Sequence, residues 1–210
     1  MNDLTLLYLS ANLIPSDTSN KIFDQLPLSD YPVVRIVQGV NYPQVGSTPY
    51  NYYKQILEGC CEATTEFVAT CEDDTLYPRE HFTHRPLQGF DYTYNINAWL
   101  GSNKVFWRSK SMNSFGFYIS RRTVLIELLE YRFKVWPDPP SLIEQRHFHE
   151  PGVFEYDLKA SVCHFSTKVP IIAFEHRGTL SGKRKRFGNP GVASLADYGP
   201  ARSLYDSFWS

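Results

Sequence analysis

Between Leu4 and Thr70 three short apolar runs alternate with two helix-patterned segments, and that alternation restricts the fold more than any other feature of the chain. LTLLYLS (4–10) stops at Ala11-Asn12, VVRIVQ (33–38) stops at Gly39, and Phe67–Thr70 runs into a cluster of acids. Short apolar runs closed by turn residues read as buried strands. Residues 20–26 are expected to form a short helix. Thr48-Pro49 reads as a helix start, a cap followed by proline at the first helical position. The segment PYNYYKQILEGCCEA then places Tyr53, Ile56, Leu57 and Cys60 on one face. Strand, helix, strand, helix, strand predicts a parallel α/β sheet, whose ligands bind beyond the carboxyl ends of the strands.

The second half is less regular. FGFYIS (115–120) predicts a strand and RRTVLIELLEYRF (121–133) a helix with Val124, Leu128 and Tyr131 in register. VPIIAF (169–174) predicts another strand, and the tail after about Gly188 is expected to be disordered. A length of 210 residues suits one domain, and 42% hydrophobic with 20% charged residues excludes a disordered chain. The net charge of −1 gives no global field for drawing in nucleic acid. Cys60, Cys61, Cys71 and Cys163 lack paired spacing and read as thiols of a reducing compartment. With no leader pattern and no run able to span a bilayer, a cytoplasmic protein is expected.

The third apolar run ends in Glu72, Asp73 and Asp74. On an extended strand Glu72 and Asp74 would project to one face and Asp73 to the other. Two carboxylates on one face repel unless a cation separates them. Mg²⁺ and Mn²⁺ take oxygen ligands, often one or two carboxylates together with substrate phosphates. A solvated acidic turn, helped by Pro78, is the plainer alternative at this point. Near the other end, IIAFEHRGTLSGKRKR repeats the design with opposite sign: a strand ends at Glu175-His176-Arg177, and Lys183, Arg184, Lys185 and Arg186 follow. Neutral histidine is a common metal ligand, and Lys and Arg complement phosphate oxygens.

The ordered set YNYYKQILEG, CEDDTLYPREHF, YNINAW and EHRGTLSGKR resembles the GT-A glycosyltransferases, nearest to family 2-like nucleotide-sugar transferases of bacteria and phages. The resemblance runs from Leu4 to about Lys185. It implies an α/β GT-A (Rossmann-like) fold, with a mixed, mostly parallel sheet flanked by helices in a single domain. That domain would span 1–188, with a nucleotide-sugar half at about 1–90 and an acceptor half at about 91–188, before a tail at 189–210. It further implies Asp74 as a direct metal ligand, Glu72 at the metal or ribose, and His176 as third ligand or diphosphate contact, with Mn²⁺ or Mg²⁺ as cofactor. Ser10, Ala11, Asn12, Gln38, Lys54, Gln55 and Asp73 would serve the nucleotide, with Asn51 beside them, and Lys183 and Arg184 the diphosphate. The triplet departs from the family pattern in opening with Glu rather than Asp.

The implied donor is a nucleotide sugar, with a UDP-sugar favoured, and the acceptor is a glycan, a lipid-linked sugar, a protein or a hydroxymethylated base of phage DNA. Loss of the acceptor proton calls for a base within hydrogen-bond reach. HFHEPGVFEYDLK offers Glu150, Glu155 and Asp157, of which Glu155 is preferred for an inverting transfer. Tyr94, Trp99 and Trp107 offer flat faces for an acceptor wall, with core packing as the alternative. Two other functions compete. A metal-dependent nucleotidyltransferase would want a glycine-rich phosphate loop after the first strand, and SANLIPSDTSN has no glycine. A non-catalytic nucleic-acid-binding module would centre on residues 183–186.

Overall fold

Strand β1 (Leu4–Ser10) is buried along its whole length because elements pack on both of its faces. Leu7 and Leu9 join one core with helix α2 (Pro49–Glu62) and helix α3 (Arg122–Val135), while Leu4, Leu6 and Tyr8 join another on the opposite side. Two-sided burial is why the run reads as continuously apolar rather than alternating. The structure, a computed structural model, describes residues 3–109, 113–114, 116–137, 141, 148–151, 160–176 and 191–209.

The main sheet has the order β2-β1-β3-β8-β5-β9. Here β2 is Val33–Val37, β3 Phe67–Glu72, β5 Tyr92–Asn95, β8 Tyr118–Arg121 and β9 Val162–Phe165. β1 pairs in parallel with both β2 and β3, and β9 in parallel with β5, while β8 runs antiparallel between β3 and β5. The result is a mixed α/β sheet, largely parallel and flanked by helices. A second sheet has the order β4-β10-β6-β7, built from β4 (Thr75–Leu76), β6 (Ala98–Gly101), β7 (Phe106–Arg108) and β10 (Ile171–Phe174). It packs on the Leu4/Leu6/Tyr8 side through Ala98, Ile171 and Ala173. Among the described residues no helix is long and apolar enough to cross a membrane.

Helix α2 begins as its sequence predicts: the Thr48 side chain accepts from Asn51 N at 3.2 Å, and Pro49 fills the first turn. Tyr53, Ile56 and Cys60 are fully buried. The first helix, α1 (Ser16–Phe23), starts earlier than expected, immediately after Pro15. Helix α3 buries Leu128 and packs Val124 on the core as expected, but its inward stripe is rotated away from Tyr131. Leu125, Leu128, Leu129 and Arg132 are buried, whereas Tyr131 is 39% exposed. Polar chemistry drives the change: the Arg132 guanidinium donates to His149 O at 2.8 Å and lies over the Tyr53 ring.

The tail expected to be disordered is ordered over 191–209. It forms β11 (Ser194–Leu195), β12 (Gly199–Pro200) and helix α4 (Ala201–Trp209). Tyr205, Phe208 and Trp209 all pack on Phe174 at the end of β10, and Thr18 Oγ1 donates to Phe208 O at 2.7 Å. Read without its distant partners, the segment hid an aromatic face that has a core to join.

His81, in the short 3-10 turn Arg79–Thr83, is wholly buried and packs against Phe165, on which His84 also stacks. Burial, assisted by His84, pushes the His81 pKa down to about 3. Between that value and about 6.5 the unfolded chain takes up a proton that the fold refuses, so stability falls as pH falls through this window. Relative to His81→Gln, the wild-type chain should lose stability by up to about 1.4 kcal/mol per pH unit below pH 6.5. Urea unfolding of both proteins from pH 7 to pH 4 checks this, and parallel curves would refute it.

Candidate functional site

Where β3 ends, the chain does not stay extended. Asp73 and Asp74 form a turn, and β4 returns antiparallel to β10 with Thr75 opposite Ala173. The expected sorting of the acids onto two strand faces is therefore replaced by a fan, in which each carboxylate meets a different element.

Asp74 turns toward β10. Phe174 N donates to its carbonyl at 2.8 Å, Thr75 Oγ1 to its Oδ1 at 2.9 Å, and its Oδ2 lies 3.1 Å from His176 Nε2. Asp73 turns toward the end of β1, where its Oδ2 accepts from Ser10 Oγ at 2.5 Å. Ser10 Oγ in turn accepts from Asn12 N at 2.9 Å, and Asn12 adopts a left-handed φ of 56°. Short polar asparagine is one of the few residues that tolerate this region. Glu72 turns toward α2, where the neighbouring Tyr52 hydroxyl favours its ionised form. Gly116 makes room for it: a Cβ there would lie 2.6 Å from Glu72 Oε2, and the residue's φ of +73° already favours glycine.

The three acids line one cleft of about 240 Å³ together with Ala11, Gln38, Gln55 and His176. Burial and the neighbouring Asp74 and Asp73 raise the Glu72 pKa well above the usual carboxylate range, with Glu150 adding to the push. Burial and Asp74 likewise raise Asp73 to about 7, against the pull of Ser10 and His176. The cluster thus concentrates negative charge that a proton or a cation relieves.

Among the remaining sequence-derived residues, Gln38 and Gln55 reach the cleft but spend their amides on the scaffold. Gln38 Oε1 accepts from Val45 N and Gly46 N, its Nε2 donates to Gln55 Oε1, and Gln55 Nε2 donates to Ser10 O. Asn51 Nδ2 ties the same loop through Val45 O. Lys54 is not among the residues lining the cleft; it is exposed, with its ammonium over the Tyr50 ring. Tyr94 is a core residue, and neither Trp99 nor Trp107 lines the cleft. Glu155, Asp157, Lys183 and Arg184 lie outside the described residues.

Tyr52, Ser109, Ser114, His149 and Glu175 line the cleft without having been singled out from sequence. Tyr52 sits three residues into α2, where helical spacing gives it no distinction from its tyrosine neighbours. His149 precedes Glu150, which is 6% exposed, with Oε2 3.9 Å from His149 Nδ1.

Among the described residues no three His, Cys, Asp or Glu side chains converge as a complete cation cage would. Asp74 and His176 do meet, one hard oxygen donor beside one imidazole nitrogen. That donor set fits a Mn²⁺ or Mg²⁺ ion whose other ligands come from phosphate and water.

No family model matches the chain, and no curated protein matches it in sequence. Solved structures do share its architecture. A glycosyltransferase involved in the glycosylation of the major capsid of PBCV-1 aligns over 82% of this chain and 92% of its own, at 11% identity and a TM-score of 0.50. HddC from Yersinia pseudotuberculosis aligns over 81% of this chain and 72% of its own, at 13% identity and a TM-score of 0.40. At such identity the first likeness establishes a glycosyltransferase-like fold.

Because Asp73 holds a proton in the fold that it would lose in the unfolded chain between about pH 4 and pH 7, its contribution to stability grows as pH falls through that window. In chelator, Asp73→Asn should therefore be more stable than wild type at pH 7.5, and the gap should close near pH 4. A gap on the order of 1–2 kcal/mol is expected, because part of the side chain still faces the open cleft. Thermal melts across this range measure it; a gap that is constant with pH would contradict the assignment.

Proposed function

We propose that this chain is a nucleotide-sugar-dependent glycosyltransferase, family 2-like in type, that moves a sugar from a nucleotide-diphosphate donor to an acceptor hydroxyl. The observation that carries this reading is the meeting of Asp74 and His176, 102 residues apart in sequence, at 3.1 Å in a cleft at the strand ends. Asp74 and His176 would hold Mn²⁺ or Mg²⁺, which when bound supplies positive charge to the departing diphosphate. Asp73, braced by Ser10, and the Ala11 backbone border the side of the cleft where β1 ends and the nucleoside would lie. Lys183 and Arg184 are assigned to the diphosphate on the sequence resemblance alone.

The acceptor, on the same resemblance, is a glycan or a hydroxymethylated base of phage DNA. Transfer needs a base for the acceptor proton, and Glu155 is assigned to it for an inverting reaction. Glu150, nearly buried beside the cleft-lining His149, is its rival.

Calorimetry with UDP and Mn²⁺ tests the donor site. Asp74→Asn keeps the shape but removes an anionic ligand, and should weaken UDP binding at least about tenfold, in line with the loss of a charge-assisted contact. Unchanged affinity in the mutant, or full affinity in chelator, would defeat the metal–diphosphate reading. The base is tested separately. Glu155→Gln should lower turnover by ~10²–10⁴-fold with donor affinity intact, whereas Glu150→Gln should leave most of the activity. The reverse ranking would move the role to Glu150, and product that keeps the donor's anomeric configuration would remove it from both.

A further inference from the structure

We propose that Trp209 is a positioning residue for His176, so that helix α4 acts as a brace for the candidate metal centre; the inference rests on the donor-site reading above. His176 lies just past the end of β10. The last strand-end bonds before it run from Phe174 N to Asp74 O at 2.8 Å and from Glu175 N to Gly101 O at 2.9 Å. Beyond them, side-chain packing decides where the imidazole points. On one side its Nε2 faces Asp74 Oδ2 at 3.1 Å. On the other, its ring lies against the Trp209 indole, with centroids 5.5 Å apart and planes inclined by 31°.

The indole is itself held firmly. Tyr205 stacks on it at 5.5 Å and 12°, and Phe174 meets it edge-on at 6.3 Å. Helix α4 is tied to α1 by Thr18 Oγ1 donating to Phe208 O at 2.7 Å and by Lys21 Nζ donating to Ser207 O at 3.2 Å. A ring fixed in this way restricts the flip that would exchange Nδ1 and Nε2 in front of Asp74. Metal-binding histidines are oriented by contacts to the part of the ring that does not face the metal, and the flat aromatic face adds one here.

The indole also carries a cost. Its Nε1–H is buried without an acceptor among the described residues. An unmade hydrogen bond is unfavourable, and phenylalanine would fill most of the space without one. Apolar volume alone is thus a poor account of this position, whereas a flat ring set against His176 explains the contact.

The test begins with metal-free protein. Nitrogen-15 NMR of the histidine rings, assigned with His176→Ala, should show one dominant tautomer for His176 in wild type. Trp209→Leu, which keeps apolar volume but no flat face, should shift both His176 nitrogens toward the average of the two tautomers. Trp209→Phe should stay near wild type. Titration with Mn²⁺ alone, followed by electron paramagnetic resonance, should then show about tenfold weaker binding for Trp209→Leu and near-normal binding for Trp209→Phe. In a His176→Ala background, Trp209→Leu should cost no further affinity. Unchanged His176 nitrogens in Trp209→Leu, or an equal loss of Mn²⁺ affinity in the His176→Ala background, would overturn the proposal. If wild type binds no Mn²⁺ while the nitrogen shifts respond as described, the metal reading fails and the brace stands.

Discussion

The backbone bond from Phe174 N to Asp74 O joins the two halves of the chain at the point where the candidate chemistry gathers. Strand β4 is only two residues long, yet its antiparallel pairing with β10 turns the acid cluster out of the β3 line. That turn separates the three carboxylates and brings Asp74 to His176. Without it, Glu72 and Asp74 would share a face and His176 would have no acidic partner. The parallel β1–β3 core supplies the platform, and the β4–β10 pairing supplies the juxtaposition.

The electrostatics follow from that geometry. Each acid meets a separate element: Glu72 lies beside Tyr52 of α2, Asp73 is anchored by Ser10 of β1, and Asp74 by His176 beyond β10. The anchors fix the positions of like charges that would otherwise move apart, which is why burial and mutual repulsion raise Glu72 and Asp73 together. A protein that only needed an acidic turn at this point could leave the carboxylates in water. Holding them inside a cleft is unfavourable for the isolated chain and makes sense for one that meets a positive ligand.

Much of this framework was readable before any coordinates. β1 and α2 carry their own punctuation in Asn12 and Thr48-Pro49, so local rules place them well. The acids and His176 were also nameable, because strand-end chemistry is local to the strand. Other parts depended on contacts distant in sequence. The face of α3 was read correctly at Val124 and Leu128 but not at Tyr131, because Arg132 turns inward to a carbonyl at His149 that no periodicity rule sees. Gln38 and Gln55 read as nucleotide contacts and do line the cleft, but their amides also bond each other, the Val45–Gly46 backbone and Ser10 O, partners that the sequence does not disclose. Helix α4 was missed because its aromatic face has meaning only against Phe174 and α1.

The bond between Thr18 and Phe208 spans 190 residues of chain. Synthesis runs from the amino end, and domains acquire structure as their segments emerge. The β1–β3 platform can therefore assemble while α1 still lacks the helix that covers it. During that interval Ile22, which is 1% exposed in the finished fold, stands open to water. Only when α4 has emerged can its aromatic face cover α1 and come to rest against His176. The nascent chain thus carries the acid cluster well before the helix that packs on the histidine facing it, so a chain truncated before α4 would present those carboxylates without that cover.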